Sequence, residues 1–383
     1  MASRLYRTTQ PLYLEVLRQL RRLGIGAVGT PTTFALIALY VSGLILLDRR
    51  QRQTRLARFL PARSHDAINR LLRVTPLSSR SLMGALIGWI CSSQQAPGYL
   101  CIDDVVVEKA FARRLAWAGW TYSFAKKRKV YGLHVVVLLW CSSEGHWRIP
   151  VAFRIWRPKH SCRPHAYQTK LQLAEVMLKE ALGRGLGADY LLMDTHYTAG
   201  WFTKLAGRLS VVWVGTLQPR TTVVWRGRRQ SVKELAGRLH LRWRSRLGIR
   251  ARAVDVYAPK YGLLRLVVTR NRHGNHEYIA TNELEADLTS VVLRKRGRWS
   301  IETLFHDAKQ YAGLEACQCW VDRAMVRHVS FVFLTFVLLQ LMRRSPSESV
   351  GGVKERWQMA LVRDGEPPPV PLKACPSHLR ATA

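Results

Sequence analysis

The sequence predicts an α/β protein: a mixed sheet with helices, interrupted by a β-rich insertion and preceded by an N-terminal helical domain. Apolar residues recur at helical spacing from Thr8 to about Trp89. After Gly98 the chain changes to short apolar runs typical of buried strands, and a second strand-rich block begins near Val211. Two helical segments follow that block, so the α/β layer is expected to resume after it.

Residues 1–97 are predicted to form a basic, helical DNA-binding domain. Leu12, Val16, Leu20 and Leu23 lie at helical spacing with three arginines between them, and a basic segment, Asp48–Arg58, follows. The first residues lead into a basic amphipathic stretch rather than an apolar one, so no signal peptide is expected.

Two apolar runs need a separate explanation, because runs of this kind also occur in membrane proteins. Phe34–Leu47 has 14 residues and Val329–Leu341 has 13. A membrane-spanning helix needs about 20 predominantly apolar residues. Both runs are therefore predicted to be buried helices of the core, and no membrane partner is expected.

Residues 98–206 are predicted to contain the first part of the α/β core. Four strands and one helix are expected there: Tyr99–Val107, Val130–Cys141, Trp147–Arg154 and Tyr190–Met193, with the helix at Gln168–Leu182. Residues 207–288 are predicted to form the β-rich insertion.

Residues 289–344 are predicted to complete the core with two helices. One begins near Trp299 and runs to about Tyr311, and a buried helix follows at about Ala324–Arg343. From residue 345 to residue 383, paired glycines and a proline-rich stretch predict a flexible tail.

The charge of the chain indicates a polyanionic partner. The chain has 60 Lys and Arg against 25 Asp and Glu, which gives a formal net charge of +35 and an isoelectric point near 10.9. Such a field attracts nucleic acid and repels basic peptides. Hydrophobic residues make up 48% of the chain, which excludes disorder of the whole chain. Seven scattered cysteines without a C-x-x-C pair favour the reduced thiols of a cytoplasmic protein.

Two of the predicted strands end in an aspartate at the rim of the sheet. Four apolar residues precede Asp103, and four precede Asp194. Asp104 follows Asp103 directly, and neighbouring residues of a strand face opposite ways, so only one of the two can point into a given site. The parallel with the Asp194 strand favours Asp103, and Asp104 remains the alternative catalytic residue.

The predicted helix after Trp299 has two faces. Its core stripe consists of Ile301, Leu304, Phe305, Ala308 and Ala312. A second stripe consists of Arg298, Glu302, His306 and Lys309. A carboxylate with one base on each side suits an enzyme that acts on phosphodiesters, because the acid can bind metal and the bases can bind flanking phosphates. An ordinary i,i+4 surface ion pair is the alternative interpretation.

The second stripe carries a resemblance to a known family. Arg298-x3-Glu302-x6-Lys309 is most of the Tyr-x2-Arg-x3-Glu-x6-Lys signature of bacterial insertion-sequence transposases of the DDE type. Leu191–Tyr197 (LLMDTHY) also resembles the second acidic motif of those proteins. The position of the signature tyrosine holds Lys295, which is a departure from the pattern.

The segment after Asp103 resembles the same family. An acidic pair leads to a basic segment, then to Tyr131-Gly132 and a hydrophobic strand. The resemblance covers roughly residues 99–341. It implies a ribonuclease-H-like fold in which Asp103, Asp194 and Glu302 bind two divalent ions, Mg²⁺ or Mn²⁺, for strand cleavage and strand transfer. Hard carboxylate oxygens suit these ions independently of the resemblance.

The partner that the resemblance implies is double-stranded DNA, as transposon inverted-repeat ends and as target, bound by a homodimer in a bacterial, nucleoid-associated setting. Basic residues and one tryptophan are the candidates for DNA contact: Arg298, Lys309, Lys126, Lys127, Arg128, Lys129, Trp225, Arg226, Arg228 and Arg229. Trp213 is predicted to lie in the core. Two alternatives stay open: a domesticated or inactive relative or nuclease of the DDE type, and a basic RNA-binding protein.

Overall fold

The computed structural model describes residues 2–47, 65–93, 98–111, 114–317 and 319–363. The predicted basic segment Asp48–Arg58 and residues 364–383 of the predicted tail lie outside the described residues. Within them, the structure has the predicted class: helices at the N-terminal end, one large mixed sheet, and further helices after the strand-rich block.

The helices of the described chain are α1 (Ala2–Arg22), α2 (Pro31–Leu46), α3 (His65–Arg73), α4 (Ser79–Ser93), α5 (Lys170–Gly183), α6 (Gly200–Arg208), α7 (Val232–Arg238), α8 (Leu288–Gly297), α9 (Trp299–Gln310), α10 (Asp322–Leu341) and α11 (Val350–Arg363). The start of α2 follows from local chemistry. The Thr30 hydroxyl accepts a hydrogen bond from the Thr33 amide, and Pro31 occupies the first helical position, where a missing N–H costs nothing.

The strands are β1 (Gly98–Glu108), β2 (Gly119–Ser123), β3 (Arg128–Cys141), β4 (Arg148–Trp156), β5 (Ala188–Met193), β6 (Val212–Thr216), β7 (Thr222–Trp225), β8 (Arg228–Ser231), β9 (Arg242–Arg244), β10 (Ile249–Ala258), β11 (Gly262–Arg270) and β12 (His276–Thr281). They form one sheet in the order β2-β3-β1-β5-β6-β12-β11-β10-β7-β8. Beside this path, β4 pairs with β3 and β9 pairs with β10.

The core of the sheet has a ribonuclease-H-like arrangement. β4, β3 and β1 are antiparallel neighbours, whereas β1, β5 and β6 are parallel. Helix α9 packs against β1, and α5 packs against β3 and β4. The carboxyl end of β5 therefore lies beside the middle of β1, next to Asp103, because β1 continues to Glu108 past the last residue of β5. Ligands of α/β sheets commonly bind at the carboxyl ends of parallel strands.

The insertion extends this sheet instead of standing apart from it. β12 pairs antiparallel with β6, and β11, β10, β7 and β8 continue outward. The prediction placed β6 inside the insertion. Its parallel pairing with β5 makes it a strand of the core, and this pairing cannot be read from a short apolar run alone. The other proposed domain boundaries remain predictions.

The apolar runs lie in buried helices, as predicted. Helix α10 is long and apolar enough to cross a membrane by length and composition, and 94% of its most apolar window is buried inside the protein. It packs against α2, which contains the other run, and against α3 and α4. The N-terminal helices and the α/β layer thus share a continuous hydrophobic core.

The predicted flexible tail is wrong for residues 350–363, which form α11. Val353 and Trp357 are buried, and the Lys354 ammonium donates to the backbone carbonyls of Leu47 and Tyr311 at 3.1 and 3.0 Å. Those two residues end α2 and α9 respectively. Helix α11 therefore connects the N-terminal helices to α9, because its buried lysine satisfies carbonyls at the ends of α2 and α9.

Candidate active site

A cleft of about 1150 Å³ opens beside the carboxyl end of β5 and residues 103–106 of β1. Asp103 was expected at the end of its strand, but β1 continues to Glu108, so Asp103 lies inside the strand. All three predicted catalytic acids line the cleft: Asp103 from β1, Asp194 directly after β5, and Glu302 from α9. Asp104, Lys126 and Lys309 line it as well. The three acids, up to 199 positions apart in the chain, are thus brought into one site by the parallel pairing of β1 with β5 and by the packing of α9 on β1.

Two features fix α9 over β1. The Tyr99 hydroxyl and the Ser300 hydroxyl lie 3.0 Å apart, which connects the start of the strand to the start of the helix. On α9, the buried residues are Ile301, Leu304, Phe305 and Ala308, so the predicted core stripe is confirmed. Because that stripe faces the sheet, Glu302 and Lys309 project toward the cleft.

Asp103 is partly buried beside charged neighbours, with 18% of its side chain exposed. One carboxylate oxygen accepts the Asp104 amide at 2.8 Å, and the other lies 3.0 Å from the Arg298 guanidinium. Burial, together with repulsion from Asp194, raises the pKa of Asp103 to about 7, and the bonds from the Asp104 amide and Arg298 offset only part of this rise. Asp103 therefore lies where a cation would stabilise its charged form.

Asp104 has a different environment from its neighbour. Its carboxylate accepts from the Lys170 ammonium at 2.7 Å and the Tyr197 hydroxyl at 3.1 Å, and His134 Nδ1 lies 3.0 Å away. Burial alone would raise its pKa, but the hydrogen bond with His134 and the charge of Lys170 outweigh it and lower the pKa of Asp104 to about 2. Asp104 is thus a fully partnered carboxylate, whereas Asp103 groups with Asp194, Arg298 and Glu302.

Arg298 bridges two of the acids. One guanidinium nitrogen contacts Asp103 and the other contacts Glu302, four residues further along the chain. The side chain is one-fifth exposed, and these carboxylates raise its pKa despite the cost of burial. The predicted contact of Arg298 with a DNA phosphate remains a prediction.

Lys309 and Lys126 belong to a second charged cluster in the cleft. The Lys309 ammonium donates to the carbonyl of Val106 at 2.7 Å and lies 3.4 Å from Glu315. Lys126 is ion-paired with both Glu315 and Glu108. The Arg128 guanidinium contacts Glu108 at 3.0 Å. Glu108 and Glu315 thus hold Lys126 and Lys309 at the cleft. Lys127 and Lys129 of the basic segment stay exposed.

A close backbone approach explains the glycine of the Tyr131-Gly132 pair. Gly132 lies opposite Glu108 where β3 passes β1, and a Cβ atom there would lie 2.5 Å from the Val107 carbonyl oxygen. Only glycine allows the two backbones to approach so closely. The contact fixes the end of β1 and, with it, Glu108 of the charged cluster.

The basic residues of the insertion lie on a different element. Trp225, Arg226 and Arg228 surround the turn between β7 and β8, in which Arg226 and Gly227 both have positive φ. Trp225 is half-buried with the Arg226 guanidinium 4.6 Å from its ring centre, and Arg228 and Arg229 are exposed. None of these residues is among the described residues that line the cleft. Trp213 is buried in the core, as predicted.

Several residues of the site carried no recognisable signal in the sequence. His134 lies inside an apolar strand, Lys170 follows the Thr169 cap of α5, and Glu315 stands in a loop after α9. Each acquires its place only through contacts with residues distant in the chain. Tyr197 belongs to the second acidic motif, and the structure gives it a role there: its hydroxyl donates a hydrogen bond to the Asp104 carboxylate.

The donor chemistry of the cleft fits a divalent metal ion. Three carboxylates supply hard oxygen ligands, and burial with repulsion from Asp194 raises the pKa of Asp103. Among the residues that the structure describes, no group of three His, Cys, Asp or Glu side chains is close enough together to share one ion. Arg298 lies between Asp103 and Glu302 instead.

Residues 26–253 match the family model described as DDE superfamily endonuclease. The match covers more than half of the chain and includes Asp103 and Asp194, and it ends before Glu302. No curated protein matches the chain.

Proposed function

Because the chain belongs to the DDE superfamily endonucleases, we propose that it is a transposase that cleaves and joins DNA at the ends of a bacterial insertion sequence. The observation that supports this function best is the convergence of Asp103, Asp194 and Glu302 in one cleft. They come from two parallel strands and one helix. An arrangement of three acids in a strongly basic protein suits the hydrolysis and transesterification of phosphodiesters.

Asp103, Asp194 and Glu302 are the residues that would hold Mg²⁺ or Mn²⁺, in the proposal as two ions. Bound there, the metal would supply Lewis-acid activation of the phosphodiester and of its attacking hydroxyl. Arg298 contacts both Asp103 and Glu302 and so orients their carboxylates. Lys309 holds a positive charge at the wall of the cleft, where it can face a phosphate next to the one that reacts.

Duplex DNA is the proposed substrate and partner, as element ends and as target. The basic segment Lys126–Lys129, the exposed arginines of the β7–β8 turn and the helical residues 1–97 are the proposed contacts. A homodimer is proposed for the DNA complex because both ends of an element must be held together, and the proposed location is the bacterial cytoplasm at the nucleoid.

The test is cleavage of DNA that carries the sequences flanking the coding region, with Mg²⁺ or Mn²⁺ supplied. The parent protein should cut this DNA, and Asp103→Asn, Asp194→Asn and Glu302→Gln should each lower the rate by at least about a hundredfold, since even indirect partners of a metal commonly account for 10–100-fold. DNA binding should persist in all three variants, because the acids do not supply affinity for DNA.

Asp189→Asn is a matched control, because Asp189 lies on β5 with an exposed side chain and does not line the cleft. This variant should cut like the parent. A fully active Glu302→Gln protein would contradict the proposed site. A parent that binds the DNA and cuts nothing with either metal would instead be an inactive relative that only binds DNA.

A further inference from the structure

Three aromatic side chains on the β2–β3 hairpin are exposed to solvent. Trp120 and Tyr122 lie on one face of β2, and Phe124 follows in the turn. Their exposed fractions are 74%, 47% and 86%. Large rings are usually buried, and an exposed group of them commonly marks a binding surface.

Two of these rings belong to the catalytic cleft. Tyr122 and Phe124 line it together with Asp103, Asp194 and Glu302. Their ring centres are 5.1 Å apart with the planes at 80°, so they form an edge-to-face pair. This pair holds the rings in place, while their exposure leaves ring surface open to the cleft.

A basic segment follows the pair along the chain, next to the acids that line the same cleft. Lys126, Lys127, Arg128 and Lys129 follow Phe124 directly, and residues 119–134 contain no Asp or Glu. Lys126 lines the same cleft and is held there by Glu108 and Glu315. A ligand that matches this surface has a flat aromatic face and a negative charge next to it. A nucleotide has both, and an apolar or basic protein surface lacks the charge.

Paired bases cannot fill such a site, because stacking inside a duplex hides their faces. An unpaired base exposes its face and stacks on aromatic side chains whatever its identity. We propose that Tyr122 and Phe124 form a binding site for an unpaired base of the DNA strand that lies next to the scissile phosphate. This inference rests on the proposed function and adds to it a site for locally unpaired DNA.

The experiment compares the binding of a fluorescein-labelled oligothymidylate with that of a fully paired duplex to the full-length protein. Phe124→Leu keeps an apolar side chain and removes the aromatic face, whereas Phe124→Trp keeps an aromatic face. Phe124→Leu and Tyr122→Ala should weaken binding of the oligothymidylate by about tenfold, in the range of one lost stacking contact. Phe124→Trp should bind it like the parent, and duplex binding should change by less than about twofold.

Tyr257→Ala is the matched control, because Tyr257 is 52% exposed, close to the 47% of Tyr122, and does not line the cleft. It should bind both DNAs like the parent. A second measurement places 2-aminopurine at an unpaired position beside the duplex. Stacking on the pair should quench its fluorescence in the parent protein and less in Phe124→Leu.

The outcomes separate this inference from the proposed function. If the parent cuts duplex DNA and Phe124→Leu binds oligothymidylate as tightly as the parent does, the base site is wrong and the transposase proposal stands. If Phe124→Leu loses oligothymidylate binding selectively while the parent cuts no DNA, the base site stands and the proposed catalysis is wrong. Equal loss of single-stranded and duplex binding, or a loss of self-association in place of DNA binding, would also overturn the base site.

Discussion

Asp103 and Asp104 are adjacent in the chain and have opposite electrostatic environments. Asp103 has a pKa raised to about 7 because it is buried close to Asp194, and Asp104 has a pKa lowered to about 2 because His134 and Lys170 contact its carboxylate. The alternation of side chains along β1 explains the difference, because it directs the two carboxylates toward different neighbours. This geometry favours Asp103 as the proposed metal ligand, whereas Asp104 forms an ion pair with Lys170.

Replacing Arg298 by lysine should impair cleavage more than replacing Lys309 by arginine. The Arg298 guanidinium contacts Asp103 and Glu302 with two different nitrogens, and a lysine ammonium cannot reproduce that fork. Lys309 uses a single ammonium for Val106 and Glu315. Arg298→Lys should therefore lower the rate of single-turnover cleavage by roughly 10–100-fold, the range for groups that orient metal ligands. Lys309→Arg should lower it by only a few-fold, because the charge is kept.

Single-turnover cleavage and DNA binding must be measured in the same salt for this comparison. The alanine variants of both residues should also weaken binding of the DNA ends. If both alanine variants bind and cut like the parent, the contacts of Arg298 and Lys309 play no part in DNA binding or cleavage.

His328 should make the stability of the protein sensitive to acid. It is fully buried, with Nδ1 2.9 Å from the Tyr40 hydroxyl and Nε2 3.0 Å from the Gly313 carbonyl oxygen. Burial, with help from the charge of Lys109, lowers its pKa from 6.5 to about 3. The folded state keeps His328 neutral while the unfolded state binds a proton, so stability should be lost as the pH falls from about 6.5 toward 3. The slope from this group is at most about 1.4 kcal/mol per pH unit.

Urea unfolding at pH 7.5, 6 and 5 measures this effect. His328→Gln keeps a donor and an acceptor and lacks the titration, so its free energy of unfolding should fall less steeply than that of the parent. His165→Gln changes an exposed histidine and should leave the slope of the parent unchanged. Equal slopes for His328→Gln and the parent would contradict the assignment.

At the scale of elements, α11 should stabilise the fold although it follows the catalytic region. Trp357 is 1% exposed, and Met359, two residues later on the same helix, is 49% exposed. Trp357→Ala should lower the free energy of unfolding by about 3–5 kcal/mol, as for a large buried aromatic. Met359→Ala should change it by less than about 0.5 kcal/mol. Denaturant unfolding of both variants checks this, and equal values would indicate that α11 does not pack as described.

Most elements could be predicted from the sequence where their apolar pattern was strong. β1, β3, β5, α9 and α10 lie where the patterns place them, because each buries a continuous apolar face. β8 and β9 were not predicted, since RRQS and RWR have no apolar period and become strands only by pairing with β7 and β10. Helix α11 was hidden by the paired glycines at its start, which usually indicate a loop.

At the scale of the whole molecule, the net charge of +35 should dominate affinity for DNA. The slope of log K against log salt for duplex binding is about −0.9 for each phosphate that the protein neutralises. Contact with about six phosphates would give a slope of about −5. Fluorescence anisotropy titrations at several salt concentrations measure this slope. A slope near zero would contradict an electrostatic interface.

The strands of the insertion belong to the same sheet as the catalytic strands. Because β12 pairs with β6 and β6 pairs with β5, the strands of the insertion continue the catalytic sheet outward. The β7–β8 turn with its exposed arginines lies at the far edge of that sheet. Any DNA held there would be positioned by the same sheet that carries Asp103 and Asp194.

Sequence patterns were enough to predict the class of the fold, the basic character of the chain, the two faces of α9 and the three acids that line the cleft. These follow from local patterns, since apolar periodicity, net charge and residue spacing do not depend on what lies across the fold. Tertiary structure alone decided that Arg298 contacts Asp103 and Glu302, that Asp104 is held by His134, Lys170 and Tyr197, and that α11 packs on the core. The physical reason is that the partners of a buried charge are chosen by proximity in space, and strand pairing and helix packing bring together residues whose separation in the chain carries no signal.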